Sequence, residues 1–169
     1  DGAYQGRAVL RTPTMTATTR LYYDDPLALD FDATVVAHRL WQGRDAVVLD
    51  RSAFYPEAGG QLGDQGSLGG ARVEDVQVAD DGAVLHVLAE GTPLPEVGAR
   101  VHGAVERARR RLHMALHTGQ HMLSAALLDV AGAETVSARL GRRGCPLDVH
   151  LPQPDEGALR EALERVRDA

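Results

Sequence analysis

The periodicity of the chain changes once, at Glu106, and that change limits what it can fold into. Ahead of it, apolar and polar residues alternate in short runs: Asp32–Ala37, Ala46–Asp50, Ala71–Val78, Ala83–Leu88 and Ala99–Val105. Alternation puts successive side chains on opposite faces, so each run predicts a half-buried strand. Asp80-Asp81-Gly82 separates two of them and predicts a hairpin, because Asp-Gly readily takes the positive φ of a tight turn. Short strands at this spacing predict a small barrel or curled sheet. After Glu106, Leu112, Leu116, Gly119, Leu123, Leu127 and Val130 share one stripe of a helix reaching about Val130. A strand is predicted over Pro146–Leu151; Pro152 and Pro154 then break the chain before a last helix with Leu159, Leu163 and Val166 on one face. The expected class is α+β. A β-barrel domain with a glycine-rich motif covers residues 20–104, an α/β domain covers 105–169, and 1–19 reads as a leader or extension with Met15 as a natural start.

Composition narrows the function classes. Over 169 residues, 44% hydrophobic and 25% charged content places the chain among globular domains rather than disordered ones. No apolar run approaches the roughly 20 residues of a membrane span, and no signal pattern opens the chain, so a cytoplasmic protein with no membrane partner is expected. Cys145 is the single cysteine, which excludes an intramolecular disulfide, and a monomer is expected. Lysine, asparagine and isoleucine are absent, the mark of a GC-rich genome, so all 18 basic residues are arginine. With a net charge of -6, a nucleic-acid partner needs a local basic patch.

Two stretches carry possible chemistry. In His117-Thr118-Gly119-Gln120-His121 the histidines lie four apart, one turn of helix, so both imidazoles reach one point. Two neutral imidazoles suit Zn²⁺; the plainer alternative is a pair of half-buried helix histidines. His113 extends the row, but three histidines in line cannot all approach one tetrahedral ion from a straight helix, so it is expected to be supporting or structural. The zinc-peptidase pattern is not matched, because Thr118 stands where its general-base glutamate would follow the first histidine. Cys145 and His150 are the local candidates for further ligands, although a cysteine beside Pro146 at a strand start is more often a small buried apolar residue. The second stretch runs from Ser52 to Gly66 and includes Phe54-Tyr55-Pro56-Glu57, Gly59-Gly60-Gln61 and Asp64. Its glycines permit close backbone approach, and Ser52, Gln61 and Asp64 add polar contacts. With no lysine it is not a phosphate loop. A tight barrel corner remains the alternative.

Together, Ser52, Phe54-Tyr55-Pro56-Glu57, Gly59-Gly60-Gln61, Asp64 and Gly66, followed about fifty residues later by His117 and His121, resemble the editing domain of alanyl-tRNA synthetases and the free-standing alanyl-tRNA editing proteins. Weaker similarity takes in Leu21-Tyr22-Tyr23-Asp24-Asp25-Pro26 and continues into the last helix. The resemblance implies a glycine-motif barrel followed by an editing domain of the threonyl/alanyl-tRNA synthetase type. It implies zinc-dependent hydrolysis of the ester in tRNA(Ala) charged with serine or glycine, needed because a pocket for alanine rejects similar small side chains poorly. By the same resemblance His117 and His121 are metal ligands, and the remaining cysteine and histidine ligands are expected after Ala169. Cys145 does not inherit that role. Ala58 and Ala138 depart from residues common in the family.

On this reading Ser52, Gln61 and Gln120 are the catalytic candidates: Ser52 touches the misloaded side chain and Gln120 faces the substrate. Gly59 and Gly60 approach the tRNA with their backbone, and Arg107, Arg110 and Arg143 hold its phosphates; their alternative is a solvated face in an arginine-biased chain. The Gly59-Gly60-Gln61 loop is expected to pack on the helix and wall the pocket. A metal-free module that binds the tRNA acceptor end, or a different zinc hydrolase on a related scaffold, remain the rival readings.

Overall fold

The computed structural model describes residues 17–141, 144–151, 153 and 155–168. Residues 1–16 of the proposed leader (1–19), together with Arg142, Arg143, Pro152, Pro154 and Ala169, lie outside the described residues, whereas Thr19 is part of β1. In chain order the elements are β1 (Thr19–Arg20), a 3-10 turn (Leu21–Tyr23), β2 (Asp30–Trp41), β3 (Arg44–Leu49), β4 (Arg51–Ser52), β5 (Gly66–Leu68), β6 (Ala71–Val78), β7 (Val84–Leu88) and β8 (Arg100–Val105). Then follow α1 (Arg107–Ala131), β9 (Glu134–Ala138), β10 (Leu147–His150) and α2 (Glu156–Arg167). The class is mixed α+β.

Six strands close into an antiparallel barrel in the order β2-β3-β7-β6-β5-β8. Closure removes the free edges that a short sheet would otherwise expose. Val47, Leu49, Phe54, Leu68, Val73, Val84 and Leu88 fill the interior and are fully buried. On the outer face of β3 and β7, Ala46, Val48, Leu85 and Val87 are covered by Val36, Ala37, Trp41 and Ala79. β7 is therefore buried on both faces.

Two glycines let backbones meet where a side chain would not fit. A Cβ on Gly66 would lie 2.1 Å from the carbonyl oxygen of Ala104 and 2.9 Å from the Phe54 ring. Gly60, at φ +81°, would push a Cβ to 2.7 Å from the carbonyl oxygen of Ala138, so only glycine brings this loop against β9.

The first described residues form a separate two-stranded pairing beside the barrel. β1 pairs in parallel with β4, and Thr18 Oγ1 donates to the Leu49 carbonyl. Beyond the barrel, β9 and β10 form an antiparallel ribbon. Leu123, Val130, Leu147 and Leu159 pack around Leu127, Ala133 and Ala162. α2 begins properly: Asp155 accepts from the Gly157 N–H, Glu156 lies in the first turn, and Arg165 and Arg167 lie in the last.

The expected leucine stripe of α1 divides in two. Leu127 is buried, but Leu112 is exposed, and the first half of the helix buries Arg110 and His113 instead. Polar groups on the barrel's glycine motif turn the helix to that side, which apolar periodicity cannot anticipate. Among the described residues no helix is long and apolar enough to cross a membrane.

Candidate active site

Arg110 organises the region around the two sequence motifs. It is 3% exposed, and its guanidinium forms an ion pair with Asp64, Nη2 to Oδ2 at 2.5 Å, with Nε to the same oxygen at 3.0 Å. It also donates to the carbonyls of Ala53 (2.6 Å) and Pro26 (2.7 Å). Asp64 is in turn held by the Tyr55 N–H at 2.7 Å. A buried ion pair holds only when its remaining donors and acceptors are satisfied, and these are. One side chain thus fastens the start of α1 to the glycine motif and to the segment before β2. The expected phosphate contact at Arg110 is overturned, because the guanidinium is enclosed and committed. Arg109 joins the same seam, its Nε donating to Gly63 at 2.9 Å.

Across this seam Gln61 meets His117. The Gln61 Oε1 atom lies 3.0 Å from His117 Nδ1, an arrangement in which Nδ1–H donates and Nε2 keeps its lone pair. The loop is held from behind as well, since the Leu140 N–H donates to the Gly60 carbonyl at 2.8 Å and Gln61 bridges to Leu140. Gln61 is 7% exposed, whereas Gly59 and Gly60 lie at the surface. The loop therefore packs on α1 through Gln61 and on β9 through Gly60. Gln61 and His117 line a cleft of about 290 Å³ together with Tyr22, Tyr23, Tyr55 and Arg110.

His121 follows one turn later, its ring centroid 4.8 Å from that of His117. The donor type and the helical spacing fit Zn²⁺, and a hydrogen bond to the far nitrogen of a ligating imidazole is the usual way to aim the near one. The pair supplies two ligands. Among the described residues no group of three or more histidine, cysteine or acidic side chains could hold a metal. Cys145 is half-buried near its own Pro146 carbonyl, and His150 is exposed on β10 opposite Glu134. His113, 1% exposed, has neither ring nitrogen in a well-formed hydrogen bond; burial, reinforced by the Arg109 charge, pushes its pKa down.

The other expected site residues fall elsewhere. Ser52 is 0% exposed, because alternation along β4 turns it inward while Arg51 faces out. Its hydroxyl lies 2.7 Å from His86 Nε2 and accepts from the Phe54 N–H at 3.1 Å. His86 Nδ1 meets the Val47 carbonyl at 2.9 Å, so Nδ1–H donates there and Nε2 accepts from Ser52. The expected contact of Ser52 with a misloaded side chain is corrected accordingly: the hydroxyl faces the barrel interior. Gln120 donates to Ser124 Oγ at 2.9 Å, and Thr135 Oγ1 meets the same atom at 2.8 Å, which draws Gln120 along the helix toward β9 rather than into the cleft. Arg107 is exposed at the start of α1, and Arg143 lies outside the described residues.

Residue-pattern reasoning missed His86 and the Tyr22, Tyr23 and Tyr55 cluster as elements of structure. A histidine alone in the apolar run Val84-Leu85-His86-Val87-Leu88 was a usable signal.

Residues 8–109 match the family model of class II tRNA synthetases (A). The chain is 41% identical over 151 residues to the alanine–tRNA ligase of Archaeoglobus fulgidus, which takes in 86% of this chain and 16% of the ligase. It is 45% identical over 156 residues to the alanine–tRNA ligase of Pyrobaculum neutrophilum, 86% of this chain and 17% of the ligase. It is 36% identical over 135 residues to the alanyl-tRNA editing protein AlaX-L of Pyrococcus horikoshii, 78% of this chain and 33% of that protein. The chain thus spans a minor part of the length of each of these relatives. With the family model matched across more than half of its residues, the chain belongs to the class II tRNA synthetase (A) family, in the group that includes alanine–tRNA ligases and an alanyl-tRNA editing protein.

Proposed function

We propose that this chain is an editing hydrolase of the cytoplasm that deacylates tRNA(Ala) mischarged with serine or glycine. The observation that carries the reading is the 3.0 Å contact between Gln61 and His117, which joins the two motifs, 56 residues apart, in one cleft. The names of the relatives support the substrate: ligases for alanine and its tRNA, and an editing protein for alanyl-tRNA.

His117 and His121 would hold Zn²⁺, with further ligands from outside the described residues. When bound, the ion supplies Lewis-acid polarisation of the ester carbonyl or orientation of the attacking water. The residues of this chain do the rest. Gln61 fixes His117 in the Nδ1–H form, and its own amide nitrogen can donate to an oxygen on which negative charge develops. The Arg110–Asp64 pair holds the cleft floor, so Gln61 and His117 keep their separation. Arg107 and Arg111 are exposed in the first turns of α1, which has no acidic residue in its first turn. Cations at the positive end of a helix dipole oppose the usual preference, and tRNA phosphates would offset that repulsion.

The test is to follow ester loss from Ser-tRNA(Ala), Gly-tRNA(Ala) and Ala-tRNA(Ala), with metal content measured in parallel. Wild-type protein should cleave the two mischarged tRNAs and spare the correct one, and His117→Ala should slow cleavage about 100-fold or more while still binding tRNA. Equal rates for His117→Ala and wild type would overturn the assignment, and full activity in metal-stripped protein would remove zinc from it. The two-ligand donor set favours one second reading, a metal-free module that binds the acceptor end. That reading predicts tight tRNA binding with every ester intact.

A further inference from the structure

We propose that Tyr23 is a stacking platform for the terminal base of the tRNA, which makes the tyrosine end of the cleft a nucleobase subsite. The proposal rests on the editing reading. The ester to be cleaved sits on a hydroxyl of the terminal ribose, and the base hangs from the same sugar. Wherever the reacting carbonyl lies, a flat aromatic ring must therefore lie about one sugar away. His117 and Tyr23 line one cleft, and its volume, about 290 Å³, sits at the small end for ligand pockets and suits a single nucleoside.

Three features make Tyr23 the platform. First, it is 71% exposed, and no other tyrosine, phenylalanine or tryptophan is exposed among the described residues. Because it also lines the cleft, this exposed ring is within reach of a planar group bound there. Second, it is braced for stacking. Tyr22 packs against it edge-on at 4.8 Å, and Tyr55 packs edge-on against Tyr22 at 5.1 Å, so the inner rings support Tyr23. Arg20 adds a hydrogen bond of 3.1 Å to the Tyr23 hydroxyl, with its guanidinium 5.9 Å from the ring centroid. Third, Tyr22 is buried with its hydroxyl in no well-formed hydrogen bond, although it lines the same cleft. That oxygen is closed to solvent, so Tyr22 serves as a fixed inner wall of the cleft beneath Tyr23. Burial pushes the Tyr22 pKa up to about 12, so it remains a donor at neutral pH. Unpaired terminal bases are commonly recognised by stacking on aromatic rings.

The test compares uncharged tRNA(Ala) with the same tRNA whose terminal sugar carries no base, each titrated against the whole chain. Wild-type protein should prefer the intact tRNA by about tenfold or more, the range expected of base–aromatic stacking. Tyr23→Ala should bind both alike, at the baseless level, and Tyr23→Trp should restore the preference. The slope of binding against salt should be the same in all three, because stacking involves no phosphate. No preference in wild type, or an undiminished preference in Tyr23→Ala, would overturn the platform. Ester hydrolysis, assayed separately, distinguishes the two ideas. Base preference without hydrolysis defeats the hydrolytic reading alone. Equal hydrolysis of intact and baseless charged tRNA, with equal binding, defeats the platform alone.

Discussion

β7 buries all five of its residues, Val84 to Leu88, whereas α1 buries only Arg110, His113 and Leu127 along its 25 residues. The barrel closes on itself and excludes water from an interior of valine, leucine and phenylalanine. The helical layer has a small apolar centre at Leu127, Ala133 and Ala162, and it leaves Leu112, Leu128, Val136 and Leu163 exposed. One half owes its order mainly to apolar burial, at roughly 25 cal/mol for each Å². The other half is fastened to it by polar contacts: Arg110 to Asp64, Arg109 to Gly63 and His117 to Gln61. The lesson is that the cleft lies on a polar seam, where groups can be both positioned and reached by solvent.

The strongest way to break this contrast is to cut the seam. Arg110→Met leaves Asp64 charged and unpaired in a buried site, which should destabilise the fold by about 3–5 kcal/mol. Urea unfolding followed by Trp41 fluorescence for the barrel, and by circular dichroism for the helices, gives the measurement. The helix signal should be lost ahead of Trp41 in the variant. Coincident transitions in the variant would mean that other contacts join the halves.

A second effect belongs to the barrel. Burial lowers the His86 pKa from 6.5 to about 4, opposed only in part by its Val47 contact. The folded state therefore resists protonation that the unfolded chain accepts. The stabilising contribution is complete above pH 6.5 and is lost as the pH falls toward 4, a change of about 3 kcal/mol. His113, lowered in the same direction, adds to the loss. Urea midpoints measured across that interval should decline steadily, and a flat profile would show that His86 accepts its proton without opening the barrel.

The smallest expected effect sharpens the contrast from the helical side. Leu163 on α2 is half exposed, so Leu163→Gln should change stability by less than about 0.5 kcal/mol in the same urea assay. A loss above about 1 kcal/mol would show that α2 buries more than its surface suggests.

Much of the barrel was legible because alternation is a local property. β6 has the predicted bounds, Ala71–Val78, and α1 starts and ends within a residue or so of its expected limits. β5 went unread because Gly66-Ser67-Leu68 sits in a glycine-dense stretch, and β9 because it is short and largely exposed after Gly132. At the site, the positions of Gln61, His117 and His121 were legible as motifs. The partners were not. Nothing in the spacing of Arg107, Arg109, Arg110 and Arg111 says that Arg110 turns inward to an aspartate 46 residues earlier while Arg107 stays in water. Ser52 was misplaced for a related reason, since its direction depends on the closure of the barrel around His86.

The Asp64–Arg110 pair also sets a rule for recombination. A chimaera that takes its barrel from one relative and its long helix from another receives the two halves of this lock from different parents. The crossover is permitted only where both parents keep the acid and the base, together with a backbone that leaves the Ala53 and Pro26 carbonyls open to the guanidinium. The unit that can be exchanged between such proteins is therefore not the barrel or the helix, but the barrel with the first turn of the helix attached.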